Sequence, residues 1–348
     1  MASAAGLMIA LDATYSLGRN LSGVGVYSRE ILFGLARAHP EARFRFCYRP
    51  HRLLRSFHET LPWNASRSLL TGAPPGDLFH ALNQRVDFSR SSGPKRVVST
   101  FHDLFVMTGD YSSPDFRARF TEQARSAAER SDAVIAVSRF TAGQIEALLK
   151  VDRTRIFVIP HGAQPAPETL VERQNMVLFV GAIQRRKNVA RLVRAFEKMP
   201  GDWKLVLAGA SDGYGAAEEL QAVHESPRRS SIELLGYISD PELHRLYRRA
   251  RIFAFPSLDE GFGMPVLEAM AYGVPVIASQ SSALPEVAGD AALLVDPLDS
   301  DALADALLRL AANPDLRDDL ARRGLERARE FTWESAVERT WSVYNELK

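Results

Sequence analysis

The sequence predicts an α/β protein made of two domains, each a doubly wound parallel sheet. Three observations carry that expectation. Short β-rich runs alternate with helical patterns from end to end, as in parallel βαβ units. The length of 348 residues and the 46% hydrophobic content suffice for two separate cores. A proline-rich stretch with little apolar content, Pro160-His161-Gly162-Ala163-Gln164-Pro165-Ala166-Pro167, divides the pattern near its middle as a linker does. The expected domains are therefore 1–165 and 166–330, followed by a terminal helical segment, 331–348.

In the first domain the strand candidates are Leu7–Leu11, Phe44–Tyr48, Leu78–His80, Val97–Phe101, Ala133–Val137 and Ile156–Ile159, with helices over Val24–His39 and Asp115–Arg130. In the second the strands are Met176–Val180, Lys204–Ala208, Ile232–Leu235, Ile252–Phe255, Val276–Ala278 and Ala292–Val295, with helices over Ala190–Lys198, Asp240–Ala250 and Asp301–Ala312. The last segment, Phe331 to Lys348, sets Val337, Trp341 and Tyr344 at helical spacing behind Thr332 as N-cap. Its apolar face needs a partner, and packing across the domain junction is one choice. No short tandem repeat occurs.

Composition excludes several classes. The 43 Lys+Arg balance 42 Asp+Glu, which argues against a dedicated nucleic-acid binder. The lone cysteine, Cys47, cannot close an internal disulfide, and a reducing, cytoplasmic compartment fits. Met1 to Leu11 lacks a basic n-region and reads as a first strand rather than a signal peptide, and no apolar run is long enough to span a membrane. The sequons at Asn20 and Asn64 are then accidental. The neutrality hides two unlike halves. Residues 1–165 hold 21 Lys+Arg and 14 Asp+Glu, net +7, and the rest hold 22 and 28, net −6. The excess concentrates in Arg43, Arg45, Arg49, Arg52, Arg55, Arg67, Arg85, Arg90, Lys95 and Arg96, either a solvated surface or a site for an anionic acceptor or lipid headgroup.

Open α/β sheets bind ligands at strand C-terminal ends, so the loops there carry the chemistry, and a ligand between the domains should meet loops from both. After the strand ending at Phe255 comes Pro256-Ser257-Leu258-Asp259-Glu260-Gly261-Phe262-Gly263-Met264-Pro265, with Pro265 suited to the first helical position and Gly273 to the helix stop. A helix N-terminus offers backbone N–H groups to an anion, and Gly261 and Gly263 permit close approach. Glu260 and Glu268 suit hydroxyl groups, although Glu268 could equally complement the helix dipole. A second loop, Gly181-Ala182-Ile183-Gln184-Arg185-Arg186-Lys187-Asn188, puts three consecutive cations between a strand and a helix, either a solvated basic turn or a site for a diphosphate whose charge grows as a bond breaks. Ser22-Gly23-Val24-Gly25-Val26-Tyr27 opens a helix after the first strand, but Ser28 leaves the dinucleotide fingerprint incomplete. His102 and Asp103 follow another strand end, where a lone histidine is either structural or catalytic. Asp299-Ser300-Asp301 has the letter pattern of a metal site but directly precedes a helix, so a cap is expected there instead.

Glu260 through Glu268 resembles the E-x7-E element of the retaining glycosyltransferases of family 4, which have the GT-B fold of two Rossmann-like domains facing across a cleft. The resemblance continues through Gly273-Val274-Pro275-Val276-Ile277-Ala278, Leu284 to Ala292, Val295-Asp296-Pro297, Leu235-Gly236-Tyr237-Ile238, Gly181 to Asn188, Gly23 to Tyr27, His102-Asp103-Leu104 and Val137-Ser138-Arg139-Phe140, nearly the whole chain. It implies that Glu260 holds hydroxyls of a donor sugar and Glu268 the ribose of its nucleotide. The main chain of Gly261, Phe262, Gly263 and Met264 would line the sugar and phosphate pocket, with Gly181 in the adjoining loop. Tyr237 and Ile238 would touch the base through backbone, and Gly23 and Gly25 would let their loop close over the phosphates. His102 would reach the donor sugar, and His161 and Gly162 would act as a hinge. Ala182 stands where the family often has arginine. Arg186 is therefore assigned the arginine role, ahead of Arg185, and Lys187 matches the family lysine.

The implied reaction moves a hexosyl group from a nucleoside-diphosphate sugar to an acceptor hydroxyl with retention, needing no metal or other cofactor, in polysaccharide, lipopolysaccharide or glycolipid synthesis. The Arg-Lys-Asn run is similar to that of relatives using GDP-mannose, which points to a mannosyltransferase. The acceptor would be a sugar or lipid-linked glycan, and the basic first half suggests peripheral membrane contact. Two rivals remain, a sugar-nucleotide 2-epimerase of the same fold and a non-catalytic sugar-nucleotide binding protein.

Overall fold

The computed structural model describes residues 7–18, 21–89, 93–164 and 171–348; Met1, Asn20, Arg90, Pro165, Ala166 and Pro167, named above, lie outside the described residues. The first half contains β1 (Met8–Asp12), α1 (Gly23–Ala38), β2 (Arg43–Tyr48), α2 (Pro50–Ser56), β3 (Ala65–Leu69), β4 (Leu78–Ala81), β5 (Arg96–Phe101), α3 (Phe105–Thr108), α4 (Pro114–Arg130), β6 (Ala133–Ala136), α5 (Arg139–Leu149) and β7 (Ile156–Val158). The second contains β8 (Gln174–Val180), α6 (Val189–Phe196), β9 (Lys204–Ala208), α7 (Ala216–Glu225), β10 (Ile232–Gly236), α8 (Asp240–Arg249), β11 (Ala250–Phe255), α9 (Met264–Ala271), β12 (Val276–Ser279), α10 (Leu284–Ala288), β13 (Ala292–Val295), α11 (Ser300–Ala312), α12 (Pro314–Ala328) and α13 (Trp333–Glu346).

Two parallel sheets result, seven strands in the order β3-β2-β1-β4-β5-β6-β7 and six in the order β10-β9-β8-β11-β12-β13. Strands covered on both faces need continuous apolar runs, and β4, β6 and β12 are buried at every position. The edge strand β3, Ala-Ser-Arg-Ser-Leu, has no such run; one flank is open, so register with β2 rather than hydrophobicity defines it. Asn64, just before it, is buried and donates from Nδ2 to the carbonyls of Ala36, His39 and Ala42 at 3.0, 3.2 and 3.3 Å, so the Asn64 sequon is a structural amide.

The chain divides into two compact units. Unit 1 comprises Met1–Met107, Pro114–Gly162 and Thr332–Lys348; unit 2 comprises Thr108–Ser113 and Ala163–Phe331. Helix α13 thus belongs to unit 1. It is capped by Thr332, whose side chain accepts from the Ser335 N–H at 3.1 Å, and it packs on α1. A Cβ on Gly34 of α1 would lie 2.4 Å from Val337 Cγ2, so the helices approach closely because residue 34 has no side chain. Val337 and Tyr344 are buried, and Trp341 stacks on His39 at 3.9 Å between ring centroids.

Candidate functional site

In unit 2 the basic loop after β8 and the glutamate loop after β11 meet because β8 and β11 are neighbours in the sheet. Arg185–Lys187 form a 3-10 turn, and Asn188 follows in the left-handed region at φ 60° as the start of α6. Its Nδ2 donates to the carbonyls of Pro256 at 2.9 Å and Pro297 at 2.7 Å, and the Leu258 N–H donates to the Arg186 carbonyl at 2.8 Å. The two loops are therefore locked together by backbone and amide bonds. Glu260 Oε1 receives Lys187 Nζ at 2.6 Å and Arg186 Nη1 at 2.7 Å, and all three side chains are nearly withdrawn from solvent. Burial alone pushes the Glu260 carboxyl up, but the two cations override it and hold the group at about 2. The Lys187 ammonium also lies 4.5 Å from the centre of the Phe255 ring. The Glu260 N–H donates to Ser282 Oγ at 2.9 Å, which fixes the base of the side chain.

Glycine sets the approach of the neighbouring loops. Gly181 has φ 151°, and a Cβ on Gly209 would fall 2.0 Å from the Gly181 carbonyl oxygen. Gly209, at the end of β9, was not singled out by the sequence; its signal was a glycine directly after an apolar strand. Gly263 has φ 109° and precedes α9, placing Met264 first and Pro265 second in the helix, one position later than the sequence suggests. Phe262 is buried, with its ring edge-to-face on Phe331 at 5.9 Å, so its side chain serves the core and its backbone alone is left to line a pocket. Glu268 is half-buried and accepts from the Tyr247 hydroxyl at 2.8 Å; desolvation outweighs that bond and raises its carboxyl to about 7. Tyr237 is 51% exposed and Ile238 half-buried beyond β10.

Residues 108–113 also belong here. Thr108 Oγ1 donates to Asp259 Oδ2 at 3.1 Å, and Asp110 accepts from Arg185 at 3.0 Å. Arg185 is thus engaged with Asp110 and Glu218, whereas Arg186 is the arginine on Glu260. Asp299 caps α11, accepting from the N–H groups of Asp301 and Ala302 at 2.9 Å each. Among the described residues no three His, Cys, Asp or Glu side chains gather as metal ligands.

In unit 1, Gly23 is exposed at the first position of α1. Gly25 is buried, and a Cβ there would lie 2.9 Å from the Tyr15 carbonyl, so packing within unit 1 already requires glycine at 25. His102 is buried, with Nε2 on the Leu82 carbonyl at 3.0 Å, and desolvation lowers its imidazole to about 4. Its ring stacks on His161 at 5.4 Å, and Tyr27 meets both edge-on at 4.8 and 5.0 Å. His161 is thus part of a buried ring cluster, and a Cβ on Gly162 would fall 2.3 Å from the Trp333 nitrogen. Beneath it His80, not anticipated, bonds Tyr344 at 2.6 Å and Thr100 at 2.8 Å.

Comparison with known proteins adds to this geometry. Residues 162–327 match the family described as Glycosyl transferases group 1, and residues 18–166 match Glycosyltransferase Family 4. An O-antigen chain mannosyltransferase B of Escherichia coli is 33% identical over 270 residues, 73% of this chain and 71% of the relative. A D-inositol 3-phosphate glycosyltransferase of Xylanimonas cellulosilytica is 33% identical over 276 residues, 71% of this chain and 66% of the relative. Among solved structures, a sucrose-phosphate synthase from Thermosynechococcus elongatus superposes with a TM-score of 0.78 at 24% identity, covering 98% of this chain and 99% of the other. WaaG, a glycosyltransferase involved in lipopolysaccharide biosynthesis, gives 0.68 at 15% identity, covering 97% and 98%. Both show the same two-domain fold.

Proposed function

Since the chain belongs to glycosyltransferase family 4 and has the GT-B fold, we propose that it is a retaining hexosyltransferase that moves mannose from GDP-mannose to an acceptor hydroxyl. The observation that carries this reading is the buried pair of cations, Arg186 and Lys187, gathered on the carboxylate of Glu260. Two adjacent cations in a loop beside a helix N-terminus suit a diphosphate. Glycosidic cleavage moves charge onto that diphosphate, so cations fixed in advance stabilise the transition state more than the ground state. Arg186, Lys187 and the backbone entering α9 supply that field without a metal ion. Glu260 would exchange part of its ion pairing for hydroxyls of the donor sugar, and Glu268 would take those of the ribose. The mannosyl donor draws support from the Arg-Lys-Asn run and from the O-antigen chain mannosyltransferase relative, as does a place in polysaccharide, lipopolysaccharide or glycolipid synthesis.

Thermal unfolding with GDP-mannose, UDP-glucose and UDP-GlcNAc tests the donor. A donor at about 100 times its Kd adds about 2.7 kcal/mol to the folded state, and GDP-mannose should give the largest rise in Tm. Equal indifference to all three would overturn the reading. Binding with neither transfer nor hydrolysis would identify a non-catalytic binder, and isomerised donor without acceptor would identify an epimerase.

We also propose that unit 1 touches an anionic membrane surface. Leu54, Phe57 and Trp63 are 80%, 65% and 72% exposed. Arg67 lies over the Phe57 ring at 5.2 Å and Arg43 over Trp63 at 5.4 Å, so cations flank exposed rings. Arg49, Arg85, Lys95 and Arg96 pair with carboxylates of unit 1, which narrows the basic surface to the region around α2.

A further inference from the structure

In unit 2 the carboxylates of Glu260 and Glu268 have opposite surroundings. Glu260 is held by two cations, whereas Glu268 meets none. Among the described residues, the one hydrogen bond to the Glu268 carboxylate is that from the Tyr247 hydroxyl to Oε2 at 2.8 Å, and no ion pair reaches it. The titratable groups that face it are Tyr247 on α8, Asp240 at the start of the same helix and Tyr272 just past α9, with His244 beyond Tyr272 at 5.8 Å between ring centroids. Burial and Asp240 oppose the charge of Glu268, and only the Tyr247 hydroxyl favours it.

The hydroxyl is aimed by its surroundings. Tyr247 is fully buried, its ring stacked on Tyr272 at 5.4 Å and tilted against Phe253 at 5.9 Å. Arg173, directly before β8, clasps the ends of both helices. Its Nη1 donates to the carbonyls of Tyr247 at 3.2 Å and Ala250 at 2.6 Å, and its Nη2 to those of Tyr272 at 2.7 Å and Gly273 at 3.0 Å. One guanidinium thus ties the C-terminal ends of α8 and α9, and with them the donor and the helix that carries its acceptor. A buried tyrosine hydroxyl needs an acceptor, but a backbone carbonyl or an amide serves that need at lower cost than a carboxyl group whose charge burial disfavours. Glu268 is only half-buried, so a ligand can reach it.

An ionised carboxylate offers about four acceptor positions and no donor. Tyr247 takes one of them on Oε2, and the others can receive two vicinal hydroxyls, one on each oxygen. The last torsion of a glutamate side chain is broad, and a hydrogen bond on one oxygen narrows it, so that both oxygens are presented together. We propose that Tyr247 is a positioning residue that presents Glu268 to the 2′- and 3′-hydroxyls of a nucleotide, and so makes the site prefer ribonucleoside to 2′-deoxyribonucleoside diphosphates. The proposal rests on the reading of Glu268 as the ribose contact and adds the group that orients it. Two hydroxyl donors call for the ionised carboxylate, which the Tyr247 bond favours. The preference should therefore grow as pH rises through the titration of Glu268 at about 7.

Titration calorimetry of the full chain with GDP, 2′-deoxy-GDP, UDP and 2′-deoxy-UDP, between about pH 5 and 8.5, tests it. The quantity read is the ratio of ribo to deoxy affinity for each base, in which ionisation of the diphosphate and any general loss of fold cancel. In the native protein the ratio should reach about tenfold at high pH and shrink below pH 7. Tyr247→Phe should lower it to about threefold and move its pH midpoint up, since the bond that favours the charged carboxylate is gone. Replacing Tyr247 by 3-fluorotyrosine, whose hydroxyl is the stronger donor on a ring of nearly the same shape, should move the midpoint down. The proposal is overturned if Tyr247→Phe keeps the native ratio and midpoint, or weakens all four ligands by one common factor, as a tyrosine that serves only the fold would. Should Tyr247→Phe fail to fold, an unmoved midpoint in the fluorinated protein overturns it. Native protein that binds the diphosphates with no preference for ribose overturns the proposal and leaves the donor reading standing; native protein that binds none of them removes the donor reading and the proposal with it.

Discussion

Glu260 sits between two cations that have almost no contact with water, and its replacement reads out both binding and stability. Glu260→Gln leaves Arg186 and Lys187 buried without their carboxylate, which should cost about 3 kcal/mol and lower glycosyl transfer by about 100-fold or more. A nucleoside diphosphate should restore part of the lost Tm, and more than it raises the native protein, because its charge replaces the missing one. Lys187→Ala should lower transfer similarly; near-native turnover in either variant would remove that residue from the site. Glu268 behaves oppositely with pH. Its folded carboxyl titrates at about 7 against an ordinary 4.5, so between those values the folded state holds a proton that the unfolded chain has released. Stability from this group is complete below about 4.5 and is lost as pH rises through 7. Glu268→Gln should therefore raise Tm at pH 8 and leave it nearly unchanged at pH 5, as thermal melts at the two values will show.

At the scale of elements, the turn between β8 and α6 depends on Asn188, which combines a positive φ with two side-chain bonds to Pro256 and Pro297. Asn188→Gly keeps the backbone conformation and loses the bonds, for about 1–3 kcal/mol. Asn188→Ala adds about 1 kcal/mol for holding a Cβ in the left-handed region, so urea midpoints should rank Asn above Gly above Ala. This turn also marks where the sequence became silent. Buried parallel strands such as β6 are apolar at every position and so declare themselves, and Thr332 and Asp299 announce their helices by capping chemistry. The strand β3 has Ser-Arg-Ser at its centre, and α2 spans only seven residues around an adjacent Leu53-Leu54 pair, so neither carries a period to read. Lys187 and Glu260 are 73 residues apart and meet because β11 inserts beside β8, a sheet order that local spacing does not encode; the resemblance to family 4, not periodicity, had linked them. Nor does spacing reveal that Thr108–Ser113 belongs with unit 2, or that Tyr247 meets Glu268.

For the whole molecule, three buried imidazoles make the fold sensitive to acid. Desolvation lowers His80 to about 3, His102 to about 4 and His161 well below the ordinary 6.5. Unfolding therefore takes up protons once pH falls below about 6.5, and stability drops toward pH 4 by about 1.4 kcal/mol per pH unit for each histidine. The pH dependence of urea unfolding should show uptake of about three protons from these groups, and His80→Gln should remove about one of them. The surface around α2 makes a second prediction at this scale. Binding to vesicles with anionic lipid should weaken with salt and fall about tenfold or more in Leu54→Ser/Phe57→Ser, with transfer to a soluble acceptor retained; vesicle binding insensitive to both would dismiss the membrane surface. The division of the chain also has a consequence for its birth on the ribosome. Residues 163–331 are all but complete as a unit when they emerge, whereas α1 waits for α13, and His80 waits for Tyr344, until synthesis has passed residue 344. Unit 2, made later, can finish first, and unit 1, begun earlier, closes its last contacts only after it.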